Sequence, residues 1–304
     1  MRSSSGTEGR PADYGGVVLA LAGAMAFSGK AIIVKLAYRY GVDAVTVIMF
    51  RMLFAFPIFA LMSWWSGRGQ PPLTRADWAG VLGLGVTGYY LASFLDFLGL
   101  QYVTASLERL ILYLNPTLVL LLAWLLHRKP WSRRQLAGMA TSYVGVVLVF
   151  GLEARVEGSN VPLGALLVFL SAVSYALYLV YSQHLVKRLG SLRLVGLATS
   201  VACVLCVAQF LVLRPVSSAF AVAPQVIWLS VLNAVACTAV PVLLVMMAIE
   251  RVGASVTAQT GMVGPVSTIL LGVWLLGEPF TPWLAAGTAL VIAGIFVFTR
   301  ARRN

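Results

Sequence analysis

Five charged side chains interrupt stretches that are otherwise apolar: Lys30, Arg51, Asp96, Glu108 and Arg109, with Lys35 near the rim of the first stretch. An ionised group in such surroundings is costly unless paired, so each marks a structural pair, a substrate path or a proton relay. Asp96 and Arg109 fall on either side of a tight turn at Gln101 and Tyr102, which brings them to one depth on antiparallel helices. The same reckoning about Tyr40 places Lys30 level with Arg51 and leaves Glu108 as a counter-ion for the two. Uncharged polar residues form a second set. Ser171, Ser174, Tyr175, Tyr178, Tyr181 and Ser182 lie within an arc of about 120° at helical spacing. Tyr89, Ser93 and Asp96 share a face with Tyr90 beside it, and Asn233 is the main polar residue of its stretch. Tyrosine is apolar in body and polar at its tip, so these residues suit a cavity for a solute of mixed character.

Two prolines sit near the middle of apolar stretches: Pro116, after Tyr113 and Asn115, and Pro265, below Gln259 and Thr260. Each removes a helical hydrogen bond and frees a carbonyl one turn earlier, and in lipid that carbonyl needs a protein or water partner. The candidate cavity is therefore Tyr89, Tyr90, Ser93, Tyr113, Asn115, Pro116, Tyr175, Tyr178, Asn233, Gln259 and Pro265. Catalytic patterns are missing: there is no G-x-S-x-G, no H-E-x-x-H and no facing pair of aspartates in different stretches, so the chain reads as a non-enzyme. Cys203 and Cys206 form one C-x-x-C within an apolar run, without a second pair, and imply neither metal nor cofactor.

The elements that position these residues follow from composition. Of 304 residues, 60% are hydrophobic and 11% charged, with a net charge of +12. That is too little polar surface for a water-soluble body, and lipid is the implied solvent. Ten segments are long enough to span a bilayer: 15–37, 43–65, 77–99, 103–126, 135–151, 162–184, 192–213, 226–248, 254–276 and 281–299. The fold class is all-α, a ten-helix polytopic membrane protein. The run after Tyr14 is too long for a signal-peptide core, so no cleaved signal is expected. Fifteen Lys and Arg fall in loops and tails on one side and three on the other, which makes both tails, 1–14 and 300–304, cytoplasmic. The basic excess is therefore topological, and no nucleic-acid partner is implied.

A shift of 149 positions lays 103–149 on 252–298 with 12 of 47 pairs identical, among them Ala105/Ala254, Ser106/Ser255, Pro116/Pro265, Pro130/Pro279, Gly138/Gly287 and Gly145/Gly294. The segments divide into two five-helix halves, 15–151 and 162–299, and an odd number per half turns them in opposite orientations. The loops agree: 127–134 carries four basic residues and its counterpart 276–283 none. Inverted repeats place a substrate site near the bilayer midplane between two moving halves.

The segments SGKAIIVKLAY (Gly29, Lys30, Lys35), FRMLFAFP (Arg51), DFLGLQYVTASLERLILYLNPT (96–117) and LLGEPFTPWLAAG (275–287) resemble the drug/metabolite transporter superfamily, EamA type, over residues 14–300. The resemblance implies a bacterial inner-membrane exporter of small metabolites, with amino-acid exporters the nearest kind. Drug or nucleotide-sugar transport on the same fold is the alternative, and a channel or scaffold without alternating access is another. The acidic residue usual after the fourth helix stands at Glu278 in the second half, but Lys129 occupies the first-half position. With both carboxylates held by basic partners and His127 and His184 at helix ends, movement is expected to be facilitated or weakly coupled to protons. The expected partners are a small-molecule substrate and the lipid bilayer, and the expected state is a monomer.

Overall fold

The structure is a computed structural model describing residues 14–127, 132–156 and 160–301, with the side chains of 126–127, 155–156, 253–255, 258–259 and 298–301 outside the description. Lys129, Pro130 and the outer parts of both tails lie outside the described residues. Among the described residues, eight helices are long and apolar enough to cross a membrane: α1 (Tyr14–Tyr38), α2 (Ala44–Gly67), α3 (Arg75–Gly99), α4 (Ala105–Leu125), α5 (Arg133–Ala154), α6 (Val161–Leu189), α7 (Ser191–Leu213) and α8 (Pro224–Val252). Two shorter apolar helices, α9 (Gly261–Leu276) and α10 (Pro282–Val297), follow. No strand occurs among the described residues.

Sequence chemistry sets the helix ends. Asp43 caps α2 by accepting from the Thr46 backbone N–H at 2.8 Å, and it also takes the Arg214 Nε at 2.7 Å, tying the start of α2 to the end of α7. Thr74 and Asp77 form a reciprocal capping box at the start of α3. Gly190 and Gly277, at φ 79° and 73°, take the backbone conformation that side chains rarely adopt and turn the chain after α6 and α9. Partial burial pushes the Asp43 carboxyl up, but the Thr46 and Arg214 bonds outweigh it and hold the group below its usual 3.8. A carboxylate depressed in the folded state stabilises above its unfolded pKa and loses that contribution as pH falls through the folded value. Asp43→Ala is therefore expected to cost about 1 kcal/mol of unfolding free energy near neutral pH. The difference from the parent should shrink below pH 3.8.

The helices pack in reciprocal pairs. Gly145 on α5 lies against the backbone carbonyl of Gly287 on α10, and Gly294 on α10 lies against that of Gly138 on α5. A shift of 149 residues turns one contact into the other. Gly29 on α1 meets Cys237 on α8, and the same shift carries that pair onto Tyr178 on α6 and Gly88 on α3, which also touch. Contacts that map onto each other in this way are those of an approximate two-fold axis passing between α5 and α10. Small residues allow these close approaches where packing, rather than the hydrophobic effect, must hold helices together. In the glycine-rich run 80–88 of α3, Gly80 lies against Leu185, Gly85 against Ala198 and Val201, and Gly88 against Tyr178. These glycines are occupied within the chain. Trp64, Trp65, Trp78 and Trp283 are exposed near helix ends, as interfacial aromatics would be.

Candidate functional site

The two proline-bearing segments are broken, and broken at matching positions. The first part of α4 ends at Leu112, and a new helical stretch begins at Asn115 with Pro116 in its first turn. In the second half, a 3₁₀ turn at Gly261–Val263 precedes a new helix, Gly264–Leu271, with Pro265 in its first turn. The expected mid-helix kinks are therefore helix starts. Proline is favourable there because its missing N–H would have no intrahelical partner. The Tyr113 hydroxyl donates to the Gly261 carbonyl at 2.7 Å, so one break is fastened to the other. Ser28 of α1 donates to the Gly264 carbonyl at 2.9 Å. Asn115 donates to the Leu112 carbonyl at 2.9 Å, while its buried Oδ1 has no donor. Pro116 is exposed and Pro265 buried.

A second pair of irregularities flanks the breaks. Residues Gly85–Leu91 of α3 and Val235–Ala239 of α8 are π-helical, again at positions related by the repeat. In α8 the cause is Pro241, which cannot donate back to the Cys237 carbonyl. The widened turn is stabilised by the Thr238 hydroxyl, which donates to the Asn233 carbonyl at 2.9 Å. In α3, serines from α6 supply the bonds: Ser174 donates to the Thr87 carbonyl at 2.7 Å and Ser171 to the Ala92 carbonyl at 2.6 Å. The hydroxyl stripe of α6 is thus in part a partner for distorted backbone. Its tyrosines form a cluster, with Tyr175 stacked on Tyr178 and the Tyr178 hydroxyl 3.1 Å from that of Tyr89. Tyr90 stacks on Phe94, and Ser93 is half-buried. The Gln259 side chain lies outside the described residues.

The intramembrane charges pair differently from the reading by depth. Lys30 Nζ lies 2.5 Å from Asp96 Oδ2 and 3.5 Å from Glu108 Oε1, so one lysine serves both carboxylates. Arg109 turns instead toward α1 and α9, donating from Nε to the Thr268 hydroxyl at 2.8 Å and from Nη2 to the Phe27 carbonyl at 2.9 Å. Arg51 donates to the Thr238 hydroxyl at 3.1 Å and stands 5.1 Å over the Phe97 ring. Its buried Nη1 has no acceptor. Asn233 donates to the Lys30 carbonyl at 3.2 Å and leaves its own Oδ1 unpartnered. The two carboxylates thus share one basic partner, Lys30, where the sequence expectation had Arg109 beside Asp96.

Residues at the end opposite Tyr14 join the halves, and the sequence reading gave them no role at the site. Glu278, in the turn after α9, accepts from the Ala105 N–H at 2.7 Å, the Ser106 N–H at 3.2 Å and the Ser106 hydroxyl at 2.7 Å. A carboxylate on a helix N-terminus is favoured by the unpaired N–H groups and the dipole together. Glu153 bonds the Thr104 hydroxyl beside it, and Arg39 donates to the Leu276 carbonyl at 2.6 Å. A mostly apolar cavity of about 300 Å³, walled by residues such as Leu152, Pro282 and Trp283, adjoins this latch and meets Glu153 and Glu278 at its edge. The signal was present: Glu278 departs from its repeat partner Lys129. Among the described residues, no group of three or more His, Cys, Asp or Glu is placed to hold a metal ion.

A lipid-soluble bundle with broken helices, paired backbone distortions and buried charge at its centre defines a multi-pass membrane transporter. The chain belongs to the EamA-like transporter family, whose profile matches twice, over residues 14–151 and 162–300. It is 32% identical over 271 residues to the uncharacterized transporter YcbK of Bacillus subtilis, covering 86% of each chain. A second relative from that organism, the uncharacterized transporter YetK, is 26% identical over 288 residues, covering 93% of this chain and 86% of its own. An uncharacterized transporter of Archaeoglobus fulgidus is 21% identical over 275 residues, with 90% and 93% covered. A solved crystal structure of the same fold matches 95% of this chain and 97% of its own at a TM-score of 0.64 and 20% identity.

Proposed function

We propose that the protein is an inner-membrane exporter that moves small zwitterionic metabolites, amino acids foremost, by alternating access, as a single chain with both termini cytoplasmic. The observation that carries this reading is the meeting of the two broken segments at the Tyr113 to Gly261 bond, with cations and carboxylates gathered beside it. Arg109 and Arg51 offer donors to a substrate carboxylate, and Asp96 and Glu108 offer acceptors to an ammonium. Tyr89, Tyr175 and Tyr178 are suited to the apolar part. A drug or nucleotide-sugar substrate would use the same fold without needing both signs of charge.

The test is counterflow of a panel of labelled amino acids into proteoliposomes, with nucleotide sugars and cationic drugs as comparison. Saturable counterflow of at least one amino acid is expected. Tyr113→Phe should retain the fold, losing about 1 kcal/mol for one hydrogen bond, and slow the exchange because the two breaks are no longer joined. Transport confined to the comparison compounds would overturn the substrate, and an ungated conductance would overturn alternating access.

A further inference from the structure

On the transporter reading, we infer that Asp96 and Glu108 hold one exchangeable proton between them, a coupling-ion site that Lys30 completes. Both carboxyls are buried, at 2% and 0% exposure, and they converge on one ammonium, with Lys30 Nζ 2.5 Å from Asp96 Oδ2 and 3.5 Å from Glu108 Oε1. Lys30 is the only cation within salt-bridge distance of either among the described residues. Three of their four oxygens, Asp96 Oδ1 and both oxygens of Glu108, have no hydrogen-bond donor. Two ionised carboxylates in that position would repel each other and leave buried acceptors empty, which is costly in a low-dielectric interior. One proton between them relieves the repulsion and engages two of the three unpartnered oxygens, one as donor and one as acceptor, and Glu108 Oε1 keeps Lys30 at 3.5 Å. It converts one acceptor into a donor aimed at the other carboxyl, and the remaining single negative charge is matched by Lys30.

The other groups facing the pair do not remove the need for that proton. Arg51 and Arg109 act on it through space, but their hydrogen bonds go to Thr238, Thr268 and Phe27. The Tyr38 hydroxyl donates to the Phe97 carbonyl, Cys237 feels Lys30 from α8, and Glu278 is engaged at the start of α4. The proton is carried as a carboxyl O–H and leaves to water on whichever side the site opens. No other bond changes. A substrate ammonium arriving at the same carboxylates displaces it, which links entry of substrate from one side to release of the proton.

The experiment is infrared spectroscopy of the full chain in lipid films, reading the C=O stretch of a protonated carboxyl group across a pH series. A band present at neutral pH in the parent and lost in both Asp96→Asn and Glu108→Gln is expected, since either amide leaves a lone carboxylate paired with Lys30. Glu278→Gln should keep the band. Its absence from the parent at neutral pH, or its survival in either variant, would overturn the site. The parent spectrum decides even where a variant does not fold. In proteoliposomes, one proton per amino acid makes the accumulation ratio change about tenfold per unit of imposed pH gradient. No dependence on the gradient would overturn coupling. A band without amino-acid flux contradicts the substrate reading and leaves the proton site standing.

Discussion

Lys30→Met is expected to destabilise the folded protein by about 3 to 5 kcal/mol, the range for removing one member of a buried ion pair. The side chain is 19% exposed, and the carboxyls it serves are 2% and 0% exposed, so nothing else within salt-bridge range replaces it among the described residues. Methionine nearly preserves volume, which isolates the charge from the packing. A fall in melting temperature in lipid nanodiscs measures the effect. Adding Asp96→Asn and Glu108→Gln together to Lys30→Met should recover part of the loss by removing the single charge that the pair retains, and acidification should narrow the gap for the same reason. A single variant as stable as the parent would mean that Lys30 is not what keeps the two carboxylates in place.

Gly294→Leu is expected to have a comparable effect for an unrelated reason. A β-carbon built at Gly294 stands 2.5 Å from the Gly138 carbonyl and 2.6 Å from the Ser142 amide, both backbone atoms that cannot rotate away. Overpacking costs about 1 to 3 kcal/mol where neighbours can shift, and here the whole of α5 would have to move from α10. Loss of folded yield and of the monodisperse peak in detergent is the expected result. Gly83→Leu provides the contrast, because a β-carbon at Gly83 meets nothing within 4 Å. Equal tolerance at the two positions would contradict the close crossing at the two-fold axis.

The helices and the repeat are legible in the sequence because both rest on local properties. Apolar length reports a span, and aligned glycines report a shared crossing, as Gly138/Gly287 and Gly145/Gly294 do. The partners of the charges were not legible. Counting from a turn fixes the height of Asp96 and Arg109 but not the direction in which each faces, and Arg109 points to α1 and α9 while Lys30 reaches between α3 and α4. The prolines mark helix starts rather than the kinks that their mid-segment positions suggest, since a helix that ends and restarts avoids the cost that a kink would carry. The π segment of α3 has no proline to announce it, since its bonds come from Ser171 and Ser174 of another helix. In α8, the sequence did not reveal that Pro241 would widen the turn before it. Glu278 was visible as a departure from Lys129, but its target lies 173 residues away in the chain, and only folding brings it to Ala105.

Alternating access, as proposed above, requires the two ends of the bundle to open in turn, with the Glu278 latch closed when the other end is open. Ser106, held by Glu278, and its repeat partner Ser255 provide matched reporters, one for each end. The direct measurement is the rate of labelling of Ser106→Cys and Ser255→Cys by a membrane-impermeant thiol reagent. It is made with Cys203, Cys206 and Cys237 replaced by alanine, with and without the amino acid that counterflow selects. Opposite changes are expected: substrate that speeds labelling at one position slows it at the other. Both positions reacting freely at once would indicate a continuous channel, and rates that do not respond to substrate at either position would contradict alternating access.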